Sequence, residues 1–206
     1  NPGRIVKAIL PAVLLSEIRR YRYRAQIRIN RFKSTEVEFE LLPRLLRPGM
    51  TVVDVGANVG HYTLLLSRLV GRGGHVFAFE PIPSTFQFLC SNVVGSGATN
   101  VTLLNLAIDE TFSYLHFEVP DGNPYQARVS AKGSIVASGV PLDTLIGGQA
   151  PVHFIKVDAE GHDLRVLRSA RRIVSSYRPL IMAEITGDQA QAALDGMRGY
   201  RALTVR

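Results

Sequence analysis

Thr51-Val52-Val53-Asp54-Val55-Gly56-Ala57-Asn58-Val59-Gly60-His61 is the stretch that decides how this chain folds. Its first five residues form an apolar run broken only by Asp54, the pattern of a strand buried on both faces. Gly56 and Gly60 then permit a tight turn and close approach of backbone to a ligand. In His61–Gly71, residues Tyr62, Leu65, Leu66, Leu69 and Val70 fall at i, i+3, i+4, i+7 and i+8, an amphipathic helix that Gly71, Gly73 and Gly74 stop. Strand, glycine turn and helix make the first half of a βαβ unit.

The pattern extends in both directions. His75–Phe79 reads as a second buried strand, Phe86, Leu89, Cys90, Val93 and Val94 as the inner stripe of a helix, and Val101–Ile108 as a third strand. Upstream, Thr35–Leu46 is a helix, with Val37, Leu41 and Leu45 on one stripe and Pro48-Gly49 ending it. Downstream come a strand at Val152–Val157, a helix at Asp163–Ser175, a strand at Leu180–Ile185, a helix at Asp188–Met197 and a sixth candidate strand at Arg201–Val205. Such alternation predicts a doubly wound α/β domain with a parallel sheet. Between the third and fourth strands lies an insertion of about 43 residues, Asp109–Pro151. Tyr114–Val119 alternates as a half-exposed strand does, Asp121-Gly122-Asn123-Pro124 is a turn, and the polar stretch to Gly139 reads as a mobile loop over the substrate.

The chain has 206 residues, enough for one domain and an appendage, and 46% are apolar against 20% charged, an ordinary globular composition. A single cysteine, Cys90, excludes a disulfide framework and a Cys-based zinc site, so the chain reads as cytoplasmic; Cys90 itself is expected in the core. Twenty arginines against four lysines suggest a GC-rich bacterial genome. Of the 24 basic residues, nine lie in residues 1–33 with one acid, Glu17, giving +8 there and 15 − 16 = −1 over the other 173 residues. The basicity therefore belongs to an N-terminal arm, residues 1–34, ahead of a domain at 35–206, and gives no reason to expect a nucleic-acid partner. Ile5–Leu15 is interrupted by Pro11, is well short of the roughly 20 residues a bilayer span needs, and is not followed by a small-residue cleavage site. The arm reads as a helix packed on the domain with solvated arginines; the alternative is peripheral contact with an anionic membrane surface.

In doubly wound sheets ligands bind beyond the carboxyl ends of the strands. The amides opening the helix at His61 face that space, which suits a carboxylate or phosphate. Asn58 stands where a dinucleotide fingerprint has its second glycine, which argues against an NAD-dependent oxidoreductase. Glu80, ending the second strand, can accept hydrogen bonds from both hydroxyls of a ribose. A ribose acid without a pyrophosphate loop points to a nucleoside lacking phosphates, and S-adenosylmethionine (SAM) fits that description. His61 reads equally as a packing residue or a substrate contact, and His75, His116 and His153 show no ligand spacing.

VVDVGANVGHYT, FAFEP, NLAID, PLDTLI, FIKVDAEGHDLRVL and PLIMAEI, in this order and spacing, resemble the FkbM-type family of class I SAM-dependent methyltransferases over about Val37 to Ile185. The resemblance implies a Rossmann-like sheet and O-methylation of a hydroxyl on a sugar, glycolipid or secondary metabolite, including a lipid-linked sugar. By position it implies that Asp54, Gly56, Asn58 and Gly60 line the methionine end of SAM. Glu80 would take the ribose, with Pro81 and Ile82 beside the adenosine, and Asn105, Leu106 and Ala107 would fall near adenine. Asp158, Glu160 and Gly161 would follow the fourth strand beside the departing methyl group.

A sugar hydroxyl is a weak nucleophile, and a general base in reach would help. The candidates are Asp158, Glu160 and His162, with Asp158 expected to face cofactor and substrate and Glu160 to tie the loop to backbone amides. Asp158 and Glu184, after adjacent strands, could offer oxygen ligands to a divalent metal such as Mg²⁺, but no third ligand is evident and a metal is not favoured. A non-catalytic SAM-binding or membrane-recruited module on the same fold is the other reading; the acids at Asp54, Glu80, Asp158, Glu160 and Glu184 argue against it. Acceptor specificity is expected in the arm and in 121–139, where Asn123, Tyr125, Gln126, Arg128 and Ser130 suit a sugar. Class I methyltransferases normally finish with a β-hairpin after the fifth strand, giving seven strands, and for that hairpin this sequence offers only Tyr200–Val205.

Overall fold

A computed structural model describes residues 37–119, 127–146, 148, 150–185, 187–197 and 199–203. The arm at 1–34, the turn at 121–124 and the end of the sixth candidate strand therefore lie outside the described residues. Helix α1 (Val37–Leu45) leads into β1 (Thr51–Val55), α2 (His61–Val70), β2 (His75–Phe79), α3 (Pro83–Ser96) and β3 (Val101–Leu104). After a second group of strands come β8 (Phe154–Val157), α5 (Asp163–Ser169), α6 (Arg171–Tyr177), β9 (Leu180–Ala183) and α7 (Gly187–Asp195). The five strands form one sheet in the order β3-β2-β1-β8-β9, each adjacent pair parallel. The chain winds outward from β1 in one direction and then from β8 in the other, so the carboxyl ends of β1 and β8 flank the switch point where such sheets open a crevice. No helix among the described residues is long and apolar enough to cross a membrane.

Alternation of side chains along the strands builds two cores. Val52, Val76 and Phe154 pack under Leu42, Leu66 and Val70 on one face. Val53, Val55, Ile155 and Val157 pack against Val166, Leu167, Ile173 and Val174 on the other. Asp54 and Lys156 fall on the first face and are direct partners in the β1–β8 register.

Five features depart from the sequence expectation. The third strand is two: β3 stops at Leu104, and β4 (Ala107–Ile108) belongs to a separate sheet. At the junction the Asn105 amide donates to the Glu80 and Pro81 carbonyls, at 2.8 and 3.1 Å, and turns the chain away. The stretch expected as a loop to Gly139 contains β6 (Arg128–Val129) and β7 (Ile135–Val140), which with β4 and β5 (Ser113–Glu118) form a second sheet in the order β4-β7-β5-β6. Its inward positions on β7 include Ala137 and Gly139, small residues that give no apolar alternation; a Cβ at Gly139 would run into the Ser113 hydroxyl.

The helix expected over Asp163–Ser175 breaks at Ala170. There the carboxylate of Asp143, on the short helix α4 (Leu142–Leu145), captures the Arg172 and Ile173 amides at 2.8 and 3.0 Å and starts α6 afresh. Cys90 is half-buried and Val94 is 75% exposed, so the inner stripe of α3 is narrower than its spacing implied, with Leu89 and Val93 carrying it. Residues 201–203 are not in a strand.

Candidate active site

β1, β2 and β8 end together, and the loops that follow them line one cleft. Val55, Gly56, Asn58, Phe79, Glu80, Pro81 and Ile82 form its floor, Leu106, Ala107 and Ile108 its far side, and Asp158, Ala159, Glu160 and His162 its rim. The second sheet supplies the remaining wall with Leu115, Phe117, Ala127 and Val129, packed over Ile82 and Ala107. About 700 Å³ of non-protein space, part of it open solvent, lies between these walls. The wall carries three carboxylates and, among the described residues, no Lys or Arg.

The glycine turn is held by contact. Gly56 has φ 74°, and a Cβ there would overlap the Asp158 carbonyl oxygen. β1 and β8 can come this close at their ends only because residue 56 has no side chain. The Gly56 and Ala57 amides both donate to the Phe79 carbonyl, which ties the turn to β2. Asn58 is left-handed at φ 51°, which points its amide across the turn to Glu80.

Glu80 is 5% exposed. Its Oε2 accepts from the Asn58 amide and its Oε1 from the Ile82 amide, each at 2.9 Å. Burial pushes its carboxyl up to about 7, against those two hydrogen bonds. A carboxylate so fixed, each oxygen retaining a lone pair, suits a ligand with two adjacent hydroxyl donors.

Beneath the turn lies a charged cluster that the sequence reading missed. Lys156 is 4% exposed; its Nζ stands 3.5 Å from Asp54 Oδ1 and 3.1 Å from Asp158 Oδ2, donates to the Gly56 carbonyl at 3.3 Å, and sits 4.7 Å from the centre of the Tyr62 ring. Burial alone would lower its pKa, but Asp54 and Asp158 outweigh that and hold it above its ordinary value. Asp54, fully buried, also accepts from the Thr63 hydroxyl at 2.6 Å. His61 is pushed down to about 4 by burial and then by the charge of Lys156, so it stays neutral near pH 7.

On the rim, Glu160 (φ 47°) and Gly161 (φ 89°) both turn left-handed, so the bend expected at Gly161 begins one residue earlier and brings Asp158 and Glu160 to the same cleft. Burial and then the neighbouring Asp158, Glu184 and Asp163 raise the Glu160 carboxyl. The loop is tied to backbone amides by Asp163, which accepts from Ala159 at 3.4 Å and Gly161 at 3.3 Å; this is the role expected of Glu160. His162 Nε2 meets Asp109 Oδ1 at 3.1 Å, an acid at the end of β4 whose role the sequence did not disclose.

Of the sequence-predicted site residues, Gly56, Asn58, Glu80, Pro81, Ile82, Leu106, Ala107, Asp158, Glu160 and His162 meet at the cleft. Asp54, Gly60 and Asn105 do not line it: Asp54 is under the turn, Gly60 packs on Leu89, and Asn105 holds the β2 end from outside. Glu184 is exposed after β9, and no group of three or more His, Cys, Asp or Glu among the described residues could hold a metal ion. Arg128 and Ser130 lie at β6; Asn123, Tyr125 and Gln126 lie outside the described residues.

Residues 54–201 match the family model for the methyltransferase FkbM domain. The hexuronic acid methyltransferase AglP of Haloferax volcanii is 32% identical over 132 residues, 63% of this chain and 53% of AglP. A protein-L-isoaspartate O-methyltransferase of Methanothrix thermoacetophila is 30% identical over 60% of this chain and 59% of its own. The chain thus spans little more than half the length of the curated relatives it matches. Among solved structures, the methyltransferase FkbM of Methylobacillus flagellatus KT aligns over 79% of this chain and 45% of its own with a TM-score of 0.57 at 20% identity. A SAM-dependent O-methyltransferase of Thermotoga maritima aligns over 82% of this chain and 52% of its own, with a TM-score of 0.50 at 18% identity. These likenesses show a Rossmann-like class I methyltransferase fold.

Proposed function

The chain belongs to the FkbM methyltransferase family, and from that membership we propose that it binds SAM in the cleft beyond β1, β2 and β8 and transfers the methyl group to a hydroxyl of a sugar, glycolipid or secondary metabolite. The observation that carries this reading is Glu80, a buried carboxylate anchored on two backbone amides and facing the same cleft as the Gly56 turn. Glu80 would take the ribose hydroxyls, with Ile82, Leu106 and Ala107 against the purine and the Gly56–Asn58 turn beside the amino-acid end. A wall with three carboxylates and no Lys or Arg among the described residues favours a cationic sulfonium over the pyrophosphate of a dinucleotide, which disfavours the NAD reading.

When bound, SAM supplies an electrophilic methyl group and leaves as a neutral thioether. The protein's part is to fix the two reactants in line and to keep water out. The second sheet serves that end, since its apolar face closes the cleft over Ile82 and Ala107. The sugar acceptor is supported by the name of the relative AglP and by the polar rim of Asp158, Glu160 and His162. Residues 35–206 would form the methyltransferase domain, with 109–151 as its substrate-covering insertion.

Calorimetric titration with SAM, S-adenosylhomocysteine and NAD⁺ tests the pocket. Ribose hydroxyls donate to the ionised carboxylate, so binding requires the Glu80 proton to leave. With a carboxyl near 7, SAM affinity should fall as pH drops below 7, by about a hundredfold between pH 8 and 5. Glu80→Gln should bind SAM weakly and lose this pH dependence. A wild-type affinity flat across that range, or preferential binding of NAD⁺, would refute the placement. A screen of methyl hexosides and hexuronides with labelled SAM then tests the acceptor class.

A further inference from the structure

Asp109 sits behind the cleft wall, its side chain 1% exposed, where β4 leaves the second sheet. Four donors converge on it. Oδ1 accepts from Arg165 Nε at 2.6 Å and meets His162 Nε2 at 3.1 Å, while Oδ2 accepts from the Ser113 hydroxyl at 2.7 Å. The Glu110 amide donates to Oδ1 at 2.8 Å. Burial would raise the carboxyl, but hydrogen bonds from Arg165, Ser113, Glu110 and His162 outweigh it and hold it well below the ordinary carboxylate range. An ionised carboxylate has no proton to give, so His162 must be the donor and Nε2 must carry the hydrogen. That leaves Nδ1 as the acceptor nitrogen of the neutral ring, and Nδ1 has no partner among the described residues. His162 itself belongs to the cleft wall, beside Asp158 and Glu160.

We propose that Asp109 is a positioning residue that fixes the tautomer of His162, so that His162 removes the acceptor's hydroxyl proton through Nδ1. The proposal rests on the methyltransferase reading. The alternative base, Asp158, already has Oδ2 engaged by Lys156. In the reaction the O–H bond breaks with its proton passing to Nδ1, and the oxygen's pair forms the bond to the methyl carbon. The carbon–sulfur pair stays with the departing sulfur. His162 ends the step as an imidazolium whose charge faces the Asp109 carboxylate, and it later returns the proton to solvent. This is the logic of an acid that orients a histidine base and stabilises its charged form. Other charges bearing on the ring are Arg165 on α5, Glu110 after β4, and Asp158 and Glu160 on the rim.

The tautomer is testable without any acceptor. In ¹⁵N-histidine-labelled protein, with His162 assigned by loss of its signals in His162→Gln, the neutral ring should carry hydrogen on Nε2 and none on Nδ1. In Asp109→Asn the preference for hydrogen on Nε2 should weaken, because an amide can face the ring with either its oxygen or its N–H. Ser113→Ala removes a hydrogen bond to Oδ2 alone, so it controls for mere structural loosening and should leave the tautomer in place. A ring protonated on Nδ1 in the wild type, or an unchanged tautomer balance in Asp109→Asn, overturns the proposal. For transfer to whichever glycoside scores in the acceptor screen, Asp109→Asn should lower kcat about a hundredfold with KM nearly unchanged. Full transfer by His162→Gln also overturns it. SAM affinity should be unchanged in Asp109→Asn. Absence of SAM binding in the wild type would count against the methyltransferase reading, while the tautomer result still decides the Asp109–His162 arrangement.

Discussion

Lys156→Met should lower the unfolding free energy by about 3–5 kcal/mol, the usual cost of removing one partner of a buried ion pair. Methionine fills the same space but leaves Asp54, fully buried, with the Thr63 hydroxyl as its one remaining donor among the described residues. Asp158 suffers less because its side chain is 41% exposed and water can take over. The origin of the loss can therefore be isolated. Adding Asp54→Asn removes the stranded charge, and the double variant should regain about 2 kcal/mol or more over Lys156→Met alone. Urea denaturation of the wild type, both singles and the double measures the cycle. Additive losses would mean that Asp54 and Lys156 do not stabilise each other. Where Lys156→Met stays folded, the Gly56 carbonyl and Asp158 both lose a donor, so SAM affinity should fall as well.

Gly56→Ala should have an effect of comparable size at a position with no charge. Alanine at φ 74° costs about 1–2 kcal/mol in backbone strain. The new Cβ would also overlap the Asp158 carbonyl oxygen, a backbone atom that cannot swing aside as a side chain end could. Relief requires separating the ends of β1 and β8, so a total loss of about 4 kcal/mol is expected. SAM binding should become undetectable by calorimetry, because the same displacement moves the Asn58 amide off Glu80 and Asp158 off the rim. Gly161→Ala is the comparison: Gly161 has φ 89° but open space around its Cβ position, so only the strain should appear. Equal losses for the two variants would show that the close approach at Gly56 contributes nothing.

Much of the cleft was legible in the sequence for a local reason. β1, β2 and β8 lie inside the sheet, so their runs are mostly apolar, interrupted by Asp54 and Lys156, and their ends are marked by the residues that stop them: Gly56, Glu80 and Asp158. Because the sheet is parallel, those ends must lie on one edge, and naming them names the site. The insertion was less legible. Its second sheet buries Ala137 and Gly139 where large side chains would have produced an alternating signal, and so β7 reads as loop. Helix periodicity ran through Ala170 without interruption because the break is imposed by Asp143, from α4.

The sequence by itself determined the winding of the domain, the turn at Gly56, the acid at Glu80 and the family, since each is carried by residues adjacent in the chain. Only the tertiary structure decided which charges meet. Asp54 reaches Lys156 through a strand register 102 residues apart (156 − 54), and Asp109 reaches His162 across 53. A register or a helix–sheet contact is fixed by the packing of whole elements, and burial then makes those few charged contacts strong. No local pattern of residue types records either pairing.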